Sequence, residues 1–384
     1  MNGSNAAGGD VVVAGAGVIG LGIALECARR GAVVRVYDRA EPGRAASWAA
    51  AGMLAPYSES MDDPELEALC AASLEEYPPF VERAIALSGV DPQLHLNGTL
   101  HVAFDDETLI GFEVRHRALR AREIESRTLD RTQTLAAEPW LGAGVRGAFL
   151  VPREGHVDNR RLTRSLWGAC VAAGVSIARV DALRVECDSR RVLGVRSSEG
   201  FSAARAVVNA CGAWAAELDG VPRAQRPPVE PVKGQMLALE APVGFVRRAT
   251  RLPGVYVVPR DDGRLLVGAT VERTGFDTRV TAEAVHGLLD AAVTRAPALG
   301  AFSIGETWAG VRPASPDGRP LIGATRVNGL LAATGHFRNG ILLAPITARL
   351  VADCAEGRAP AEIGPFSPAR FETDGATATR RTAG

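Results

Sequence analysis

The chain has 384 residues, a formal charge of −1 at neutral pH, and a composition that is 47% hydrophobic and 23% charged. That length can bury one large core or two domains, and the balanced charge excludes a global electrostatic footprint for nucleic acid or an anionic membrane. Six cysteines (Cys27, Cys70, Cys170, Cys187, Cys211, Cys354) lie far apart with no C-x-x-C pair, which predicts small core residues in a reducing compartment.

In chain order, Met1 to Gly9 is a polar lead without a basic n-region, so a cytoplasmic protein is expected. Val11-Val12-Val13-Ala14 reads as a buried parallel strand, followed by Gly15, Gly17 and Gly20 at G-x-G-x-x-G spacing. Val18 to Arg30 then has Ile19, Ile23, Ala24 and Cys27 at helical intervals, Gly31 ends it, and Val33 to Tyr37 is a second strand with Asp38 at its tip. The first glycine makes the strand-to-helix turn, the second admits a pyrophosphate to the backbone, and the third lets helix and strand pack closely. Asp38 stands about 20 residues on, where a carboxylate accepts the hydroxyls of an adenosine ribose. It would repel a 2′-phosphate, which argues against NADP. The unit predicts a dinucleotide site. Val11 to Ala28 approaches membrane length, but its four glycines and this pattern make it a soluble βαβ start.

Ala45-Ala46-Ser47-Trp48-Ala49-Ala50-Ala51-Gly52-Met53 is either an alanine-rich helix or a segment that lets backbone and cofactor approach closely. Asp63-Pro64 starts a long helix towards Leu87, bent at Pro78-Pro79. Leu94 to Phe104 alternates and contains the hairpin signal Asn97-Gly98, and Thr108 to Glu125 is a charged helix. Ala148 to Pro152 returns to strand, Asp158 caps a helix over Arg160 to Ala173, and Val175 to Val180 continues as strand. Val207 to Gly212 is a buried strand running into a glycine turn. Beyond Pro227, Pro228 and Pro231, runs at Gly234–Glu240, Val255–Pro259 and Leu265–Thr270 suggest an antiparallel meander, with a helix at Ala282–Arg295. Leu330 to Thr334 is a last strand and Gly340 to Cys354 a last helix. The remainder after Cys354, ending with Ala376 to Gly384, reads as disordered.

Three patches remain. In Trp308-Ala309-Gly310-Val311-Arg312-Pro313, an arginine in an apolar strand needs an anion, either Asp317 or a substrate carboxylate. Gly335-His336-Phe337-Arg338-Asn339-Gly340 places a helix N-terminus at the mouth of the sheet, where it could stabilise an anion. A lone His336 is more often a structural hydrogen-bonder than a catalyst. Tyr256, between Val255 and Val257, could simply be core. No H-x-x-x-H or paired-carboxylate pattern suggests a metal, and no G-x-S-x-G suggests a hydrolase.

Taken together, five stretches resemble the glycine oxidases of thiamine synthesis, in the D-amino acid oxidase family. They are the dinucleotide start, Ala46–Leu54, Pro231-Val232-Lys233-Gly234-Gln235, Trp308–Pro313 with Asp317–Gly323, and Gly335–Pro345. The resemblance covers about Val11 to Ala355. It implies an α/β fold, with a Rossmann-like FAD-binding domain (1–88, 148–224 and 305–365) interleaved with an α+β substrate domain on an antiparallel sheet (89–147 and 225–304), and a tail at 366–384. It implies non-covalent FAD, a small amino-acid substrate and molecular oxygen, with a homo-oligomer possible and no nucleic acid or membrane as partner. Arg312 would pair with the substrate carboxylate, assisted by Tyr256, with Arg338 and Met53 also in the catalytic pocket. FAD contacts would come from Gly15, Gly17, Val18, Ile19, Gly20, Asp38, Arg39, Ser47, Ala50, Ala51, Gly52, Met53, Ala182, Gly212, Trp214, His336, Arg338, Asn339, Gly340 and Ile341.

The chain departs from related sequences at Gly254, often bulkier or polar there, and at Val271, often methionine; both flank the expected pocket. Sarcosine oxidases of the superfamily link FAD to a cysteine near the segment around Arg312, and this chain has none between Cys211 and Cys354. A quinone-coupled D-amino acid dehydrogenase would need an apolar or basic membrane-facing patch, and a tRNA-modifying flavin domain a basic surface. Neither is evident. A non-catalytic dinucleotide module would have no use for Arg312 and Tyr256 beside the flavin loop.

Overall fold

The computed structural model describes residues 9–58, 63–180, 183–188 and 190–371. Ala182 and residues 372–384 lie outside this set. Among the described residues, two eight-stranded sheets carry the architecture, with a separate two-stranded ribbon of Met53–Leu54 and Gly155–His156.

The first sheet begins with Gly9–Ala14, whose four residues from Val11 to Ala14 are almost wholly buried. A strand apolar on both faces needs cover on both, and it pairs in parallel with Val34–Asp38 and Gly200–Asn209. The sheet continues to Ser176–Arg179 on one side and to Leu330–Thr334 and Leu321–Ala324 on the other. The helix Val18–Arg29 packs against Asn159–Ala172 and Ala344–Ala355. Gly22 lies on this packing face, where a Cβ would make ordinary contacts with Ala348 at 3.5 Å and with Phe80 of the helix Tyr77–Ser88 at 3.4 Å.

The second sheet orders Ser303–Ala314, Glu230–Glu240, Arg264–Gly268, Val255–Pro259, Ala249–Leu252, Thr99–Ala103, Gly147–Val151 and Arg127–Asp130. It is antiparallel except where Ala249–Leu252 meets Thr99–Ala103. One face buries Leu100, Leu237, Val257, Leu265 and Val267 under the helix Ala282–Arg295. The other carries a smaller cluster of Met236, Val258, Leu266 and Trp308 that packs with Trp48, Ala49, Ala51 and Met53.

Several expectations change in the folded chain. The helix from Pro64 breaks rather than bends: Pro64–Glu75 ends at Glu76 and Tyr77–Ser88 follows, stopped by Gly89 at φ 69°. Its start is as expected, with the Asp63 carboxylate accepting from the N–H groups of Glu65 and Leu66. Asn97-Gly98 does not close a hairpin, because Thr99–Ala103 finds its partners at Gly147–Val151 and Ala249–Leu252. The last regular helix begins at Ala344, with Pro345 in its first turn, not at Gly340. Residues 366–371 are not a loose tail. Phe366 is 2% exposed, and Arg370 pairs with Asp317 at 2.7 Å.

The expected domain boundaries at 147/148 and 304/305 cut through the second sheet, since Gly147–Val151 and Ser303–Ala314 both pair within it. We propose moving them to follow Val151 and Ala314.

Candidate functional site

The glycine turn is built by exclusion. Gly15 has φ 109°, and a Cβ on it would overlap the Ala210 carbonyl; one on Gly20 would overlap the carbonyl of Gly15. Only glycine fits either place. The next N–H, of Ala16, donates to Asp38 Oδ2 at 2.6 Å, and Ala40 donates to Oδ1 at 2.9 Å. The strand-tip acid is therefore locked to the turn by the same backbone that shapes it. Ser47 Oγ accepts from Val18 N–H at 2.9 Å, which ties the first turn of the helix to the alanine-rich segment. The N–H of Gly17 has no acceptor among the described residues. Helix start, turn and Asp38 open onto a cavity of about 820 Å³ between the two sheets.

The Ala45–Met53 segment is helical for one turn only. Ala46–Ala49 is a single helical turn; Ala50 is extended, and Gly52 has φ 76° where a Cβ would overlap the Val157 carbonyl. Its carbonyls are tied to the side away from the cavity. Asn159 Nδ2 donates to Ser47 O at 2.7 Å and Trp48 O at 3.0 Å. Trp308 Nε1 donates to Ala49 O at 3.1 Å, and the buried Arg260 donates to Ala51 O at 2.8 Å. Ala49 to Met53 line the cavity wall.

Arg312, Tyr256, Arg251 and Arg338 meet at the far end. Arg312 Nη1 donates to the carbonyls of Lys233 at 3.3 Å and Thr270 at 3.2 Å. Its guanidinium lies over Gly234, where any Cβ would overlap it. Asp317, its internal alternative, is taken by Arg370 and Ser315. Among the described residues no carboxylate ion-pairs with Arg312, although Glu272 attracts it from a distance. Burial holds Arg312 below the usual arginine range; burial likewise raises the Tyr256 phenol, with Arg312, Arg251 and Arg338 pulling the other way. Arg251 stands opposite Tyr256 on the neighbouring strand. An arginine inside Ala249-Thr250-Arg251-Leu252 carries the same signal that singled out Arg312, and could have been found by it.

His336 is 2% exposed, and its Nε2 meets Thr347 Oγ1 at 3.1 Å. Burial lowers its pKa to about 3, so the ring is neutral at any working pH. Arg338 is exposed at the rim, with its guanidinium 5.2 Å from the Phe337 ring. Ile341 and Leu342 turn their carbonyls onto Tyr77 and Ser73, away from the cavity.

Residues 10–354 match the family described as FAD dependent oxidoreductase (DAO). The chain belongs to that family. A glycine oxidase of Pseudomonas aeruginosa is 38% identical over 365 residues, covering 94% of this chain and 98% of its own. A bifunctional ThiO/ThiG protein of Trichormus variabilis is 36% identical over 96% of this chain and 56% of its own length. The crystal structure of a glycine oxidase from Geobacillus kaustophilus superposes with a TM-score of 0.88 at 33% identity, covering 98% and 99% of the two chains.

This FAD dependent oxidoreductase is thus an amine or amino-acid oxidase. Its residues suit FAD: a glycine cradle that a Cβ would fill, an N–H of the helix start without an acceptor, and an acid fixed at the strand tip. Of the residues expected to touch FAD, Gly20 does not line the cavity; its place is packing beneath Gly15. Ala182 lies outside the described residues. Sequence reasoning passed over Phe276, which stacks on Trp214 with centroids 5.1 Å apart, while Arg39 covers the Trp214 ring at 4.1 Å. It also passed over Asn159 and Arg260, whose roles appear only when distant segments meet. Among the described residues, no helix is long and apolar enough to cross a membrane.

Proposed function

We propose that this oxidase acts on glycine or another small amine, such as sarcosine or a small D-amino acid. With oxygen and water it would give the 2-oxo acid, ammonia (or a primary amine) and hydrogen peroxide. The observation that carries the reading is Arg312: a guanidinium in the cavity, held by two main-chain carbonyls and the Tyr256 phenol, with no carboxylate ion-paired to it among the described residues. A planar guanidinium so placed takes a carboxylate in two places. FAD, bound without a covalent link, would accept the hydrogen and electron pair from the α-carbon and pass the electrons to oxygen.

The residues would work by orientation. Arg312 and Tyr256 hold the carboxylate, so that the α-carbon faces the Ala50–Gly52 wall. Arg251, Arg312 and Arg338 make this end of the cavity cationic, which disfavours a charged ammonium and favours the neutral amine. No Asp, Glu or Lys lines that end among the described residues, and His336 is bonded to Thr347. The scheme therefore uses no side-chain base at carbon. The likeness to glycine oxidases further supports a role in supplying the glycine imine for the thiazole ring of thiamine.

Glycine added anaerobically should bleach the flavin spectrum, and admitted oxygen should restore it with one peroxide per glyoxylate. A spectrum unmoved by glycine, sarcosine or D-alanine sinks the reading. Tyr256→Phe should raise KM by about fivefold for one lost hydrogen bond, with kcat little changed. A loss confined to kcat would instead give the phenol a part in proton transfer.

A further inference from the structure

Arg312 reaches its two carbonyls through one nitrogen, at 3.3 and 3.2 Å, so its aim depends on where those carbonyls stand. Lys233 O belongs to the long strand Glu230–Glu240. Thr270 O does not: it lies beyond the end of Arg264–Gly268, on a loop whose next residue, Val271, is half-exposed in the cavity wall. Something must hold that loop.

We propose that Glu272 is a positioning residue, which fixes the Thr270 carbonyl and thereby aims Arg312 at the substrate carboxylate. The proposal rests on the reading of Arg312 given above. The Glu272 carboxylate is the meeting point of three donors from two segments. The Thr270 hydroxyl bonds to it, Gln235 Nε2 donates to both of its oxygens at 2.9 and 3.1 Å, and Lys233 Nζ lies 3.7 Å away. The backbone repeats the pairing. Lys233 N–H donates to Glu272 O at 2.8 Å, Glu272 N–H to Lys233 O at 3.0 Å, and Gln235 N–H to Thr270 Oγ1 at 2.9 Å. Gln235 Oε1 in turn accepts from Thr281 N–H at 2.7 Å, which anchors the far end of the loop.

Charge explains why a carboxylate sits there. Lys233 is 1% exposed, and Glu272 is its ion-pair partner among the described residues. A buried ammonium without a partner is costly, so removing the carboxylate would drive Lys233, and the strand bearing its carbonyl, to rearrange. The same carboxylate acts on Arg312 from outside the cavity, so it balances the guanidinium without competing for the substrate's place. Burial pushes Glu272 up, but the bonds from Thr270 and Gln235 and the Lys233 ammonium outweigh it and keep the acid ionised.

The test is a double-mutant cycle on the FAD-loaded protein, read as the affinity for acetate from the flavin absorbance. Glu272→Gln should weaken acetate by about tenfold and raise the glycine KM by the same factor, with a smaller change in kcat. Thr270→Val deletes the hydroxyl but keeps the carbonyl, and should shift both the same way; it carries the test if Glu272→Gln does not fold. In an Arg312→Ala background, Glu272→Gln should add less than about twofold, because its effect passes through Arg312. Unchanged acetate affinity in Glu272→Gln, or a full additive loss in the Arg312→Ala background, overturns the proposal. If Arg312→Ala itself binds acetate as well as the parent, the reading of Arg312 fails instead.

Discussion

Arg312→Ala should weaken glycine and simple carboxylates by about 10- to 150-fold while the protein still folds and holds FAD. The magnitude is that of a charge-assisted bidentate pair, roughly 1.5–3 kcal/mol. The fold has little to lose there. Arg312 forms no ion pair with a carboxylate among the described residues, Glu272 acting on it only from a distance, and Asp317 is occupied by Arg370 and Ser315. What the substitution leaves behind is two carbonyls, Lys233 O and Thr270 O, beside an open cavity where water can reach them. Binding followed through the flavin spectrum, alongside thermal unfolding, separates the two roles. Unchanged affinity with a lowered Tm would make Arg312 a fold anchor.

Acid should destabilise the protein steeply, through three histidines: burial, and then Arg115, lowers His101 to about 3, and the other two border the site. His156 and His336 are 3% and 2% exposed, and burial lowers both pKa values to about 3; Arg260 and His95 push His156 further down. In the unfolded chain each takes a proton near pH 6.5, whereas the folded ring refuses it until about pH 3. Stability is therefore full above pH 6.5 and falls as pH drops towards 3, by about 1.4 kcal/mol per unit for each ring. Glu154 opposes them. Burial raises it to about 7, against hydrogen bonds from Ser58 and Tyr57, so its contribution is full below about pH 4.5 and lost as pH rises through 7. With His101 counted, the net acid slope from these four groups is about 2.7 kcal/mol per unit between pH 6 and 4.5, and about 1.5 times that below. Urea unfolding from pH 7 to 4 should show it. Replacing any one of these histidines by glutamine should flatten the slope by one proton, and Glu154→Gln should steepen it above pH 4.5. His156 pairs with Met53 in the two-stranded ribbon, and His336 lines the cavity, so FAD should leave over the same range. A slope unaffected by all three histidine substitutions removes the argument.

What could be read from the chain alone divides by distance along it. The strand, turn, helix and acid from Gly9 to Asp38 follow from local backbone rules and form in the expected order, although Gly20 packs beneath Gly15 instead of lining the cavity. Arg312 was legible as an arginine in need of an anion; only the folded chain removes Asp317 from the choice. The hairpin at Asn97-Gly98 went astray for a reason that also motivates the proposed shift of the boundaries at 147/148 and 304/305. Strand partners more than 40 residues away outcompete a local turn signal, and nothing in the turn residues names those partners. The helix start at Ala344 had a local mark in Pro345, which favours a first turn. Asn159 and Arg260 had none, since a buried polar side chain declares its purpose only through the carbonyl it meets.

Those carbonyls have a consequence of their own. Trp308 shares a strand with Arg312, and Arg260 directly follows the strand of Tyr256, yet both grip the Ala49–Ala51 wall. On the proposed reading, the carboxylate clamp and the oxidising face would thereby be riveted to a single frame. The protein would act as a caliper, with a jaw opening set by main-chain bonds and not by the guest. It would measure how many bonds separate a carboxylate from the carbon bearing nitrogen, and one extra methylene between them would put the wrong carbon at the jaw.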